Sequence, residues 1–77
     1  MDTRKMNRAY FNTRIARVNA IAGLGYKVEM GSAYTSYKVT NSTGSRIIGY
    51  CNTKKELDAF ISGMLEMAYY AFPGGDE

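Results

Sequence analysis

Seventy-seven residues, 45% of them hydrophobic and including seven tyrosines, suffice for one small core and exclude both a multidomain chain and a disordered one. The single cysteine, Cys51, excludes an internal disulfide and a cysteine-based zinc cluster, and the lack of histidine removes the commonest general base and metal ligand. Net charge is a modest +3, but residues 1–22 carry five basic side chains against one acidic, net +4, while the remainder nets −1.

Residues 1–6 read as a polar, basic, flexible start. A helix is expected from about Asn7 to Ala22, because Phe11, Ile15, Val18 and Ala22 recur at helical spacing with Ile21 beside them. Arg4 and Arg8 would share that face, so the first turn should overhang the core or be non-helical. Tyr10, Arg14 and Arg17 border the stripe, and Gly23 or Gly25 supplies a left-handed cap. Tyr26 to Met30 alternates apolar and charged residues, as a half-buried strand does. Gly31-Ser32-Ala33 is a tight connection to a second strand, Tyr34 to Thr40, with Tyr37 and Val39 on one face and Ser36, Lys38 and Thr40 on the other. Asn41 to Gly44 is a turn by composition. Ser45 to Cys51 is a third strand, with Ile48 and Tyr50 facing one way and Ile47, Gly49 and Cys51 the other.

The last element is a helix over 53–72. Leu57, Phe60, Ile61, Met64, Leu65, Ala68 and Phe72 make one apolar stripe, and Thr53 with Glu56 has the spacing of a capping box. Phe72-Pro73-Gly74-Gly75 ends it, and residues 73–77 read as a flexible acidic tail. Short connections force antiparallel pairing of the strands. The predicted fold is a single α+β domain with a core over 7–72: a three-stranded antiparallel meander, α-β-β-β-α, with both helices on one face. Its core is Phe11, Ile15, Val18, Val28, Val39, Ile48, Leu57, Phe60, Ile61, Met64 and Leu65. Truncating Phe60 to Ala is expected to cost about 3–5 kcal/mol.

No acidic pair on the last helix has the spacing to work together: Asp58 and Glu66 are eight apart, Glu56 and Asp58 two. Cys51 precedes a helix, where a thiol can be acidified, yet a free cysteine is most often a buried small hydrophobe. The glycines lack phosphate-loop or dinucleotide spacing. The sequence therefore predicts no catalysis, no metal and no cofactor. Short apolar runs, no leader at the start and one lone cysteine predict a cytoplasmic protein without a membrane partner.

Two features suggest binding. Lys54 and Lys55 occupy the first turn of the last helix, where the dipole favours anions, so an anion would be welcome there. Thr53-Lys54-Lys55 opening the last helix of an α-β-β-β-α chain resembles the double-stranded RNA-binding domain, which grips phosphates with a Ser-Lys-Lys-x-Ala-Lys stretch at this helix start. The resemblance implies a cap at Thr53 and phosphate contacts at Lys54 and Lys55. The family's third lysine falls on Asp58, its Gly-Pro-x-His loop is absent, and its alanine-rich last helix is replaced by Phe60, Met64 and Met67.

Tyrosine is the second feature. Tyr34 and Tyr37 are out of phase, so one faces solvent, and Tyr69 and Tyr70 end the last helix beside Met67. Exposed tyrosine and methionine are enriched at protein interfaces. Small size and a tyrosine-rich sheet also resemble the accessory proteins of bacterial viruses and mobile elements, some of which block a host machine by binding it. Two functions follow. The first is a non-catalytic accessory protein that occludes a protein partner through Tyr34, Tyr37, Met67, Tyr69, Tyr70 and the uncovered sheet face or edge. The alternative is a nucleic-acid-binding module using Arg4, Lys5, Arg8, Arg14, Arg17, Thr53, Lys54 and Lys55. Two open strand edges also allow a monomer or a weak homodimer, with Lys38 and Arg46 as guards of the strands they sit on.

Overall fold

The computed structural model describes residues 5–30 and 36–72. Among them run α1 (Arg8–Ala22), β1 (Lys27–Met30), β2 (Tyr37–Thr40), β3 (Ile47–Cys51) and α2 (Lys54–Ala71). The fold is α+β. Three antiparallel strands lie in the order β1-β2-β3, with α1 packed on β1 and α2 on β3 and β2. Arg4, Tyr34, the Gly31-Ser32-Ala33 connection and the 73–77 tail lie outside the described residues.

Local chemistry sets each helix end. Asn7 caps α1, its side-chain oxygen accepting from Tyr10 N–H at 2.9 Å. Gly23 closes it at φ 68, a left-handed conformation suited to glycine. Thr53 and Glu56 form the expected capping box. Glu56 Oε1 accepts from Asn52 N–H at 2.9 Å and Thr53 N–H at 3.1 Å, while Thr53 Oγ1 accepts from Glu56 N–H at 3.1 Å.

The core joins Phe11, Ile15 and Val18 of α1, Tyr37 and Val39 of β2, Cys51 of β3, and Leu57 and Ile61 of α2. Val28, Ile48, Phe60, Met64 and Leu65, expected inside, are partly buried and pack around it. Phe72, expected on the buried stripe, is exposed. Met6 corrects the reading of residues 1–6 as a flexible start: it is 3% exposed and belongs to the core. Met6 immediately precedes the Asn7 cap and Phe11 lies four positions after that cap, the spacing of a hydrophobic staple that fixes the angle of chain entry.

The third strand departs from simple alternation. Val39 pairs with Gly49, but Thr40 pairs with Ile47, so Ile48 is an extra residue in a bulge. Ile48 therefore leans on the core while Tyr50 is exposed, and the two do not share a face as the period-two pattern suggests. Gly49 and Cys51 face the core instead. Thr40, expected on the wet face beside Lys38, is buried opposite the bulge. Phe60 sits directly over Gly49: a Cβ there would lie 2.4 Å from the ring.

Both sheet edges are modified. Asn41 N–H donates to Arg46 O, toward β3. Alternation then points the backbone groups of Lys38 and Thr40 at β1, and those of Val28 and Met30 off the sheet. Tyr26 shares that outward phase, and the Asn19 side chain of α1 engages both its groups, donating to Tyr26 O and accepting from Tyr26 N–H, each at 2.9 Å. The helix thus engages the chain just before the β1 edge begins, and the bulge interrupts β3. Lys38 lies on the central strand and guards no edge.

Gly49→Ala should destabilise the fold by about 1–3 kcal/mol, because the ring of Phe60 has to move. In a Phe60→Ala background the same change should be nearly neutral. Urea denaturation of the four proteins of this cycle measures it, and an equal cost in both backgrounds would refute the packing.

Candidate interaction surfaces

Four chain reversals make α1 and α2 parallel, and the side chains between them climb in step. Tyr10 Oη donates to Asp58 Oδ1 at 2.8 Å, Arg14 Nη2 donates to Ser62 Oγ, and Arg17 Nε donates to Tyr69 Oη at 3.1 Å. Arg14 Nε also lies 3.2 Å from Asp58 Oδ1 without the alignment of a hydrogen bond, and its guanidinium sits 5.6 Å from the Tyr10 ring centre. The Asp58 hydrogen bond, more than burial, raises the Tyr10 pKa above 10.0. Arg14 and Arg17, expected to contact an anion, are thus engaged by α2. Asp58, which occupies the position of the RNA-binding family's third lysine, holds two side chains of α1.

Parallel packing brings both helix N-termini to one end of the molecule. Exposed Lys5, Arg8 and Lys55 and half-buried Lys54 gather there. Both macrodipoles present their positive poles at this end. The Thr53 and Glu56 side chains already meet part of the hydrogen-bonding demand of α2, so the lysines do not stand beside an empty helix start.

The opposite end is apolar. Val18, Ala22, Leu24, Met64, Met67, Ala68, Ala71 and Phe72 line an open groove of about 280 Å³ between the C-terminal turns of the helices. Val18 and Ala68 form its floor, and Leu24, Met67 and Phe72 are exposed around it. Met67 also borders a second open hollow with Glu66, Tyr69 and Tyr70. Tyr70 is 85% exposed and Met67 66%. Neither helix has a basic residue in its last turn.

The tyrosines thus divide. Met67, Tyr69 and Tyr70 are exposed together, whereas Tyr37 is 3% exposed and part of the core, so it is corrected from interface to packing residue. The outer sheet face carries Lys27, Glu29, Lys38 and Tyr50, with Glu29, Lys38 and Tyr50 in one cross-strand row. It is a largely charged face with Tyr50 exposed on it, and the larger cluster of exposed apolar side chains lies on the helices. Leu24 follows a helix and Phe72 falls on the apolar stripe of the last one, so the sequence pattern marks neither as an interface residue. Cys51 is buried; burial first and the Glu56 charge second push its thiol pKa up, the reverse of an activated thiol. No group of three potential metal-ligating side chains occurs among the described residues, and no helix there is long and apolar enough to cross a membrane.

No family model, curated protein or solved structure matches this chain at a significant level. The α-β-β-β-α order implied by the resemblance is present, and these comparisons add no support for kinship with RNA-binding domains.

Tyr10 gives a test of the helix pairing. Its raised pKa means that the folded state favours the neutral phenol, so this contact stabilises fully below pH 10.0 and its contribution is lost as pH rises through the raised value. In an ultraviolet difference titration, Asp58→Asn should move one late-ionising tyrosine to lower pH. Tyr10→Phe should remove that step and cost about 1 kcal/mol in stability.

Proposed function

We propose that the protein is a small non-catalytic accessory protein, of the kind carried by bacterial viruses and mobile elements, that binds and occludes a protein partner. One observation carries this reading: Leu24, Met67, Tyr69, Tyr70 and Phe72 are exposed at one end, near a groove with no charged side chain among the described residues that line it. Large apolar side chains concentrated in this way mark interaction sites, and tyrosine and methionine are the residues enriched in them. The contact surface is this helix end rather than the charged sheet face.

A photo-crosslinking residue placed at position 70 should capture a stoichiometric protein that survives nuclease treatment. Met67→Glu should abolish capture without changing the melting temperature by more than a few degrees, because Met67 is largely in water already. Capture that persists in Met67→Glu, or that vanishes with nuclease, refutes the reading.

The convergence of two helix N-termini with Lys5, Arg8, Lys54 and Lys55 favours a second reading, phosphate contact with nucleic acid. If it holds, the Lys54→Glu, Lys55→Glu double variant should lose duplex RNA and DNA binding while remaining folded, and affinity of the native protein should fall steeply with salt. Equal weak binding by the two proteins, followed by salt titration and thermal melts, removes this reading.

A further inference from the structure

We infer that the outer face of the sheet is a separate binding site for single-stranded nucleic acid, with bases packed on Tyr50 and Ile47 and phosphates held by Lys27, Lys38 and Arg46. The inference goes beyond the protein-binding reading above and concerns a different face of the molecule.

The bulge in β3 builds the apolar part of the site. Strict alternation puts residues three apart in a strand on opposite faces. Ile47 and Tyr50 are three apart, yet Ile47 is 54% exposed and Tyr50 58%. Ile48, the extra residue between them, shifts the phase. Ile47 therefore pairs with Thr40 and Tyr50 with Lys38, two positions apart on β2 and so in one phase of the pleat. Bulges recur where a strand has to re-aim a side chain at a site. This one sets an aromatic ring and an aliphatic side chain together in water on a face that otherwise carries charge.

Charge complementarity selects the occupant. Lys38 lies directly across from Tyr50, Lys27 is exposed at the start of β1, and exposed Arg46 immediately precedes Ile47. Among the described residues, none of these three side chains makes an ion pair or a hydrogen bond. Glu29, the one acid of this face, stands across from Lys38 without pairing to it. Its carboxylate leans instead on the β2–β3 turn, with Oε2 3.5 Å from where a Cβ of Gly44 would lie. Free cations beside exposed flat and apolar side chains match a polyanion that carries rings between its charges. Single-stranded nucleic acid is such a polymer, with base faces open to stacking. A duplex keeps those faces inside its own stack, and an acidic peptide offers charge without rings.

Fluorescence anisotropy of a labelled oligothymidylate of about 12 nucleotides, titrated with the full chain, tests the inference. The wild type should bind, with a log–log salt slope of about −2 for three phosphates on a single strand. Tyr50→Ala should weaken binding about tenfold or more with unchanged circular dichroism, since Tyr50 is largely in water. Tyr50→Phe should restore it, because stacking needs the ring and not the hydroxyl. Lys38→Gln and Arg46→Gln should each flatten the salt slope by about 0.7. Tyr70→Ala, at the helix end, should bind as the wild type does. No binding by the wild type overturns the inference, as does equal binding by wild type and Tyr50→Ala. Tighter binding to a duplex of the same length also overturns it, and so does displacement of the oligonucleotide by polyglutamate of equal charge as readily as by unlabelled oligothymidylate.

Discussion

The helices of this protein are longer than the sheet that supports them. Eighteen residues of α2 span about 27 Å at 1.5 Å per residue, against about 17 Å for the five residues of β3. Phe60 is fixed over Gly49, two residues from the end of β3, so the excess falls at the C-terminal end of the helix. There the apolar stripe continues through Met64, Met67, Ala68 and Ala71 with no strand beneath it. Leu57 and Ile61 are fully buried because they stand over the sheet, and Met67 and Phe72 are exposed because they stand beyond it. One mismatch of lengths produces both the core and the groove.

Parallel packing gives that mismatch a direction. Every reversal from α1 through the three strands to α2 is short, so the two helices point the same way and their poles add instead of cancelling. Lysines and an arginine crowd one end, and the other has no basic residue in either last turn. Between the ends, Asp58 holds Tyr10 and Arg14 and so fixes the helices side by side. With both groups 26% exposed, the ion pair itself is worth at most about 1 kcal/mol. Its larger consequence is that Arg14 is directed at α2 instead of at an external anion. The molecule is polarised along its helices, with an electrostatic end and an apolar end.

Much of this architecture was legible in the residues. Asn7, Gly23, Thr53 and Glu56 mark helix ends through their own hydrogen bonds or backbone freedom, so they act locally and can be read locally. The stripes on both helices follow from their period. The bulge was not legible. Ile47-Ile48-Gly49-Tyr50-Cys51 alternates plausibly in either phase, and the phase was decided by Phe60, eleven residues from Gly49, needing a position without a side chain. Met6 was passed over because it is a lone apolar residue in a basic stretch, and its burial depends on Phe11 already being in place. Arg14 looked like surface charge because its partners, Asp58 and Ser62, are more than forty positions away. Phe72 satisfied the helical period, but period does not report where the sheet stops. Met6 apart, whose contact is local, each miss is a long-range constraint acting on a locally ambiguous residue.

The same geometry separates stability from binding. Side chains over the sheet carry the folding energy of a chain close to the lower size limit for a lone hydrophobic core. Side chains beyond it, Tyr70 above all, remove little apolar area from water in the isolated chain and contribute correspondingly little to its stability. Retaining them exposed carries a cost in solubility, because an apolar end invites association. The last two turns of α2 still serve the monomer through Leu65, Ala68 and the Tyr69 hydroxyl, which pack on the core or bond α1. Met67 and Tyr70 contribute least there, and they are the side chains whose exposure the folding of the monomer does not explain.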